Sequence, residues 1–165
     1  MSILVGIPSG SSENRSAAIL ARSERFTSSR KSRVKTKERL KKIALATSVS
    51  NAYLLYIFSK GSPLNKQPAR PVIEPAIKAP WNRKEISDLV ARASVELVAG
   101  RNYNAKKLMN SAGARAAKAA RDWFDDPRNG WAGNAASTIS HKGFDRPGID
   151  TTAMRNAITY ELRET

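Results

Sequence analysis

The sequence predicts an α+β fold: a small β-sheet packed on two long helices, with an extended basic arm. Three observations lead to this prediction. Short β-prone apolar runs lie near both ends of the 165-residue chain, two long amphipathic patterns occupy its second half, and a strongly basic stretch with few apolar residues follows the first run. A chain of this length holds one domain of ordinary size, so we expect residues 1–165 to form a single domain.

The predicted strands are residues 3–7 and 157–163. The first is the run Ile-Leu-Val-Gly-Ile, which ends at Pro8 and a Gly/Ser cluster, and its lack of polar alternation favours a central strand. The second places Ile158, Tyr160 and Leu162 on one side. We expect the two strands to lie beside each other in one small sheet.

The stretch from 22 to 42 is predicted to be an extended, exposed arm or a long loop. It holds ten Lys and Arg against two Glu, and it has few apolar side chains to bury. A segment whose charges are nearly all positive is suited to contact a phosphate backbone or another subunit. The candidate DNA-facing or interface residues of the arm are Arg30, Lys31, Arg33, Lys35, Lys37, Arg39, Lys41 and Lys42.

A short helix is predicted to begin near Asn51, as its cap, and to end at Gly61-Ser62-Pro63. The following stretch, 68–75, contains three prolines and must be extended or turning, because residues before proline avoid the helical region. Within it we expect Arg70 to pair with a nearby carboxylate or carbonyl.

The first long helix is predicted over 82–99. Asn82 and Glu85 resemble a capping box, and Gly100 marks the end. The apolar side chains recur every three or four residues, as one buried helix face requires; they are Ile86, Leu89, Val90, Ala93 and Leu97.

The second long helix is predicted over 104–124, with one face packed and the opposite face basic. The packing residues are Leu108, Met109, Ala112, Ala116, Ala119, Ala120 and Trp123. The basic residues are Lys106, Lys107, Arg115, Lys118 and Arg121. Of these, Lys107, Arg115 and Lys118 join the arm as candidate DNA-facing or interface residues.

Residues 125–148 are rich in Gly, Pro, Asn, Asp and Ser, which predicts a long loop, and Asp150 is a plausible N-cap for a helical turn. Asp125 and Asp126, just before Pro127, suit either a hard cation or a helix end followed by a proline turn. Ser137, Ser140, His141 and Asp145 contain the residue types of a catalytic triad, but the loop lacks the Gly-x-Ser-x-Gly elbow.

The composition excludes most common classes of catalytic site. The chain has no cysteine and one histidine, which excludes thiol catalysis, Cys-based zinc sites and a histidine cluster. Phosphate-binding, dinucleotide-binding and calcium-binding loop motifs are also missing from the sequence. We therefore expect a protein that is not an enzyme and needs no cofactor or metal.

The charge points to a polyanionic partner. The chain carries 29 Lys and Arg against 14 Asp and Glu, a net charge of +15, and such an excess costs stability by self-repulsion. No helix-turn-helix, zinc finger or aromatic-rich RNA-binding strand is visible, so contacts to the phosphate backbone are expected. A free-standing, non-sequence-specific nucleic-acid-binding protein is therefore an alternative function.

The apolar stretches predict a soluble protein made in a cytoplasm. The longest, such as 52–58, are much shorter than the roughly 20 residues that span a bilayer. The first residues also lack the charged segment that opens a secretory signal. We expect no membrane partner.

Five groups of residues occur in a fixed order along the chain. They are Val5-Gly6-Ile7-Pro8, Asn51-Ala52-Tyr53-Leu54 before Gly61-Ser62-Pro63, Pro68-Ala69-Arg70-Pro71, Ser137-Thr138-Ile139 with Lys142-Gly143, and Arg146-Pro147 with Ile149-Asp150-Thr151 before Arg155 and Ile158. In this order the chain resembles, over most of its length, the neck and tail-completion proteins of tailed bacteriophages. The family often has Gly and Leu where this chain has Thr152 and Met154.

The resemblance implies a structural virion protein rather than an enzyme. Such proteins form homo-oligomeric rings, commonly of six or twelve copies, at the head-tail junction around a DNA channel. It implies other neck, connector and tail proteins as partners, contact with packaged DNA, and a location in the virion after assembly in the host cytoplasm. The residues expected to carry the family's structural motif are Pro68, Arg70, Pro71, Gly143, Asp150, Thr151 and Arg155.

Overall fold

A helical hairpin and a two-stranded sheet form the centre of the computed structural model, which describes residues 1–8, 50–64, 66–149 and 152–164. The predicted arm at 22–42 lies outside these residues. The described elements are β1 (Ser2–Gly6), α1 (Asn51–Lys60), α2 (Ile73–Lys78), α3 (Pro80–Val98), α4 (Asn102–Asp122), a 3₁₀ turn (Pro127–Asn129), α5 (Ala136–Lys142), α6 (Ala153–Asn156) and β2 (Thr159–Arg163). The α+β fold class is confirmed. The expectation that 68–75 is extended or turning is wrong at its end, because α2 begins at Ile73 and holds Pro75 in its first turn, where a proline is tolerated.

The two strands pair as predicted. They are antiparallel, with Ser2 opposite Arg163 and Gly6 opposite Thr159, and the sheet packs on α4. The expectation that β1 is a central strand is wrong, because the sheet has two strands in the described ranges and β1 is an edge. The side chains of β1 do alternate in burial, since Val5 packs against the core while the neighbouring Leu4 is exposed; the run is continuous in sequence because the exposed position is also apolar.

Small residues on one face of α4 bring the other elements close to it. The buried positions of this face are Ala105, Met109, Ala112, Gly113, Ala116, Ala117, Ala119 and Ala120. The predicted packing face is therefore confirmed, within a helix that begins and ends two residues earlier than expected. No helix in the described ranges is long and apolar enough to cross a membrane.

Helix α3 begins differently from the prediction. Pro80 occupies the first turn after Ala79, where a proline loses no helical hydrogen bond. Asn82 is not the cap: its side chain is buried and donates to the carbonyl of Ala76 at 2.8 Å. The predicted apolar stripe also fails at its end, because Leu97 is exposed.

Helix α1 is capped by Ser50, whose hydroxyl accepts from the Tyr53 amide at 3.2 Å. The prediction that Asn51 is the cap is wrong by one position, and Asn51 is instead a buried residue inside the helix. The predicted end is confirmed at Gly61, which has φ of 79° and donates to the Ile57 carbonyl at 2.7 Å.

An aromatic cluster lies just past the C-terminal end of α4. Phe58 of α1 stacks on Phe124 with ring centroids 5.9 Å apart. Trp131 packs edge-on against both rings, at 5.2 and 5.5 Å. The predicted loop at 125–148 thus contributes to the core, and it also contains the helix α5, which the prediction missed. The predicted helical turn after Asp150 is present as α6.

Gly113→Ala tests the close packing of β2 on α4. A Cβ at this position would overlap the Tyr160 ring, with Cγ and Cε2 both 2.8 Å away. Such overpacking costs about 1–3 kcal/mol, whereas Ala in an unobstructed helix would add about 1 kcal/mol. We expect lower stability to urea, and recovery when Tyr160→Leu is added; a Gly113→Ala variant more stable than the parent would contradict this.

Acid titration tests the turn between α3 and α4. Arg101 donates to both Glu96 oxygens, at 2.6 and 2.9 Å, and this contact, with a hydrogen bond from Asn104, lowers the pKa of Glu96 to about 2. The pair therefore stabilises the fold above the ordinary Glu pKa of about 4.3, and this contribution is lost as the pH falls toward 2.

Carbon NMR of the Glu96 carboxyl measures that pKa directly. We expect Arg101→Gln to return it toward its ordinary value, because the main hydrogen bonds to the carboxylate are removed. Arg92→Gln is the matched control, since Arg92 makes the smallest contribution to the shift. An equal change in both variants would exclude the proposed role of Arg101.

Candidate functional site

The candidate DNA-facing residues fall in two places. Arg30 to Lys42 lie in the arm, outside the described residues. Lys107, Arg115 and Lys118 lie on α4, and the structure shows what each of these three contacts.

Most cations of α4 contact the protein's own acceptors. Arg115 pairs with Glu85 at 2.5 Å and donates to Asn82 at 3.0 Å. Lys118 pairs with Asp122 at 2.5 Å. Lys106 and Arg121, on the predicted basic face, bind Glu164 at 2.7 Å and the carbonyl of Ile158 at 2.7 Å. Because Lys106, Arg115 and Lys118 pair with carboxylates, the α4 face carries less unpaired positive charge than its sequence implies.

Arg70, from the Pro-Ala-Arg-Pro segment, is buried, with 5% of its surface exposed. Its Nε and Nη2 donate to the carbonyl of Ala132 at 3.0 and 2.8 Å, and Nη2 also donates to Gly133 at 2.8 Å. Burial lowers the pKa of the guanidinium, and the charge of Asp145 acts in the opposite direction. The predicted pairing is thus with carbonyls, and it fixes a segment 62 and 63 residues further along the chain.

The prolines on either side of Arg70 act through their position in the chain. The Pro71 carbonyl accepts from Trp131 Nε1 at 3.1 Å, while Pro68 is exposed at the cleft described below. Both prolines restrict the backbone on either side of Arg70. This restriction limits the directions in which the Arg70 side chain can reach the 132–133 carbonyls.

Arg155 connects α6 to the end of α4. Its Nε donates to the Arg121 carbonyl at 2.9 Å, and its Nη1 lies 3.1 Å from Asp125 Oδ2. Arg146 binds the other oxygen of Asp125. Gly143 ends α5 with φ of 81°, a conformation that favours glycine. Asp150 and Thr151 lie outside the described residues.

The two acidic residues before Pro127 make helix-end contacts. Asp126 accepts from the Arg128 amide at 2.9 Å and pairs with its guanidinium, which lowers the pKa of Asp126. Asp125 pairs with Arg146 and Arg155, as above. Across the described part of the chain no cluster of His, Asp and Glu suits a metal ion. The geometry therefore supports the interpretation of Asp125 and Asp126 as residues of a helix end followed by a proline turn.

The imagined triad does not assemble around Asp145. Its Oδ1 accepts from the backbone amide and the side-chain Nδ2 of Asn134, both at 2.8 Å. His141 and Ser140 are exposed on α5. Asp145 therefore orders the segment that Arg70 also holds.

A cleft of about 520 Å³ opens between α1, the turn at 61–70, α5 and α6. Its polar described lining residues include Asn51, Lys66, Arg70, Asn134, Thr138 and Lys142. Asn51 is 2% exposed, and within the described ranges neither its Nδ2 nor its Oδ1 has a hydrogen-bond partner. Sequence reasoning missed this cleft, because its walls come from segments far apart in the chain.

Two exposed apolar patches lie on different elements. The tip patch, at the turn of the helical hairpin, consists of Val95, Val98 and Tyr103; Val98 is 91% and Tyr103 80% exposed. The α1 patch consists of Tyr53 and Tyr56, three residues apart on α1 and therefore on one face of it; Leu64, in the turn that follows α1, is 98% exposed. Neither patch was anticipated, because the sequence does not show which apolar side chains the core leaves uncovered.

Comparison of the chain with protein-family models, with curated proteins and with solved structures finds no match.

Arg70→Lys and Arg70→Met test the carbonyl contacts. Hydrogen bonds to charged groups contribute about 1.5–3 kcal/mol, and lysine cannot reproduce the planar fork. We expect both variants to lose about 2 kcal/mol or more of unfolding free energy, with faster amide hydrogen exchange near 131–134. Arg83→Met, on the exposed surface of α3, is the matched control, and Arg70 variants as stable as this control would contradict the role.

Proposed function

We propose that the protein is a structural component of a tailed-phage virion, assembled as a homo-oligomeric ring of six or twelve copies at the head-tail junction around the DNA channel. Its partners there are the neighbouring neck, connector and tail proteins, and its assembly takes place in the host cytoplasm. The proposal rests on the ordered motifs of the sequence and on one geometric observation.

That observation is the placement of the two apolar patches. The tip patch lies at the N-terminal end of α4, at Tyr103. Helix α1 packs through Phe58 on Phe124, just past the other end of α4. At 1.5 Å per residue the 21 residues of α4 separate these ends by about 30 Å.

Different apolar surfaces at two ends of a protomer suit head-to-tail association. A ring needs a heterologous contact, in which one surface of a subunit meets a different surface of the next. Exposed aromatic side chains such as Tyr53 and Tyr103 are frequent in such interfaces. The tip patch of one copy and the α1 patch of the next are thus the contact we propose.

The motif residues support the same reading by giving the protomer a rigid body. Arg70 and Arg155 each bind backbone carbonyls across distant segments, and Gly143 ends α5. Such a body is what a ring subunit requires, and this role uses no catalytic group or cofactor.

The charge suits a position beside DNA. The described residues alone carry 18 Lys and Arg against ten Asp and Glu, a net charge of +8. In the described ranges Lys107 has no ion pair, unlike Arg115 and Lys118. Lys107 is therefore the α4 residue best suited to contact a phosphate.

The same surplus charge favours the alternative, a free-standing nucleic-acid-binding protein. That function predicts tight binding to plain duplex DNA, with affinity falling steeply as salt rises. The internal pairs on α4 reduce the face available for such binding. Failure to bind duplex DNA at low salt would remove this alternative and leave the ring proposal standing.

Ring assembly is tested with one variant for each patch. The tip variant is Val95→Glu with Val98→Glu, and the α1 variant is Tyr53→Glu with Tyr56→Glu. We expect the wild type to form rings in negative-stain images and by sedimentation, and each variant alone to stay monomeric, because a charge replaces an apolar contact. An equimolar mixture should form heterodimers, since each variant keeps one intact surface.

Ala91→Glu, at an exposed position of α3 outside both patches, is the control and should assemble normally. Circular dichroism verifies that all variants fold. A wild type that is monomeric at every concentration and never joins a connector or tail would overturn the ring proposal. Variants that still form rings would overturn the assignment of the patches.

A further inference from the structure

The cleft beside Asn51 has the features of a binding site and is separate from the two patches of the proposed ring contact. It is a concave space of about 520 Å³, within the range of clefts that hold drug-sized ligands.

The buried amide of Asn51 is the strongest indication of a ligand. Both polar atoms of the side chain are buried without a hydrogen-bond partner in the described ranges, although buried polar groups almost always have one. A ligand that supplies both an acceptor for Nδ2 and a donor for Oδ1 would satisfy this side chain.

The charged residues of the cleft indicate that such a ligand is negatively charged. Its described lining residues include Lys66, Arg70 and Lys142 and no carboxylate. Asn51 also belongs to the first turn of α1, which holds no acidic residue, and a helix N-terminus favours negative charge. An acidic occupant therefore complements the cleft.

The donor and acceptor requirement separates a peptide from a nucleic-acid backbone. A phosphodiester offers acceptors only, so it would leave Oδ1 of Asn51 unpaired. An extended peptide presents an N–H and a C=O together, which a side-chain amide pairs at both atoms. We propose that the cleft binds a short acidic segment of a partner polypeptide. Asn51 forms hydrogen bonds with the backbone of this segment, and Lys66 attracts its carboxylates.

The test uses the full chain and a defined probe. The probe is a blocked octapeptide of alternating Glu and Ala, whose Glu side chains share one side when it is extended. Proton–nitrogen NMR follows the side-chain amide of Asn51, whose signals are identified by their loss in Asn51→Leu. We expect the peptide to shift these signals, and Gln in place of Glu or N-methylation of alternate residues to weaken binding at least tenfold.

Asn51→Leu separates binding from folding. Because it removes two unpaired buried atoms, we expect the variant to be as stable as the parent and to bind the peptide at least tenfold more weakly. Asn51→Ser is a second, smaller variant with the same expected loss should leucine disturb the fold. Lys66→Gln should weaken binding severalfold, and Lys84→Gln, exposed on α3, should not.

Three results would overturn the proposal. They are unshifted Asn51 signals at saturating peptide, equal affinity in Asn51→Leu, and an oligothymidylate that displaces the peptide and shifts the same signals. The last would assign the cleft to nucleic acid. None of these results depends on ring assembly, so this proposal and the proposed function fail separately.

Discussion

The fold depends on the small-residue face of α4. Because Ala112, Gly113 and Ala116 present little more than backbone there, α3 and β2 approach the helix closely enough to exclude water. Tyr160 occupies the space that a side chain at Gly113 would fill. Tight packing of this kind supplies the apolar burial that stabilises a domain with few large core residues.

Arginine side chains hold the irregular segments to this centre. Arg70, Arg121 and Arg155 each donate to a backbone carbonyl far away in the sequence. Carbonyls in loops and in the last turn of a helix have no regular partner, so a guanidinium with several donors is well suited to satisfy them. Several positively charged side chains of this basic chain therefore stabilise the fold. The net charge counted from the composition overstates the positive charge that is available to bind DNA.

The surfaces that remain uncovered suggest how the protein acts. The tip patch and the α1 patch lie on elements packed at different ends of α4, and the cleft beside Asn51 combines basic residues with an unpaired amide. A ring subunit that also captures an acidic segment of a neighbour would use all three surfaces. The α1 patch and the cleft adjoin the core around Phe58 and Phe124, whereas the tip patch lies at the other end of α4.

The sequence by itself determined the α+β class, the two strands and the long helices, because hydrophobic periodicity and helix-end residues act locally. It also indicated that Arg70 needs an acceptor. It misplaced the caps at Asn51 and Asn82 and missed α2 and α5, because local signals for a cap or loop are weak against tertiary contacts. Only the tertiary structure decided which cations are paired, which apolar side chains stay exposed and where the cleft lies, since these depend on contacts between segments far apart in the chain.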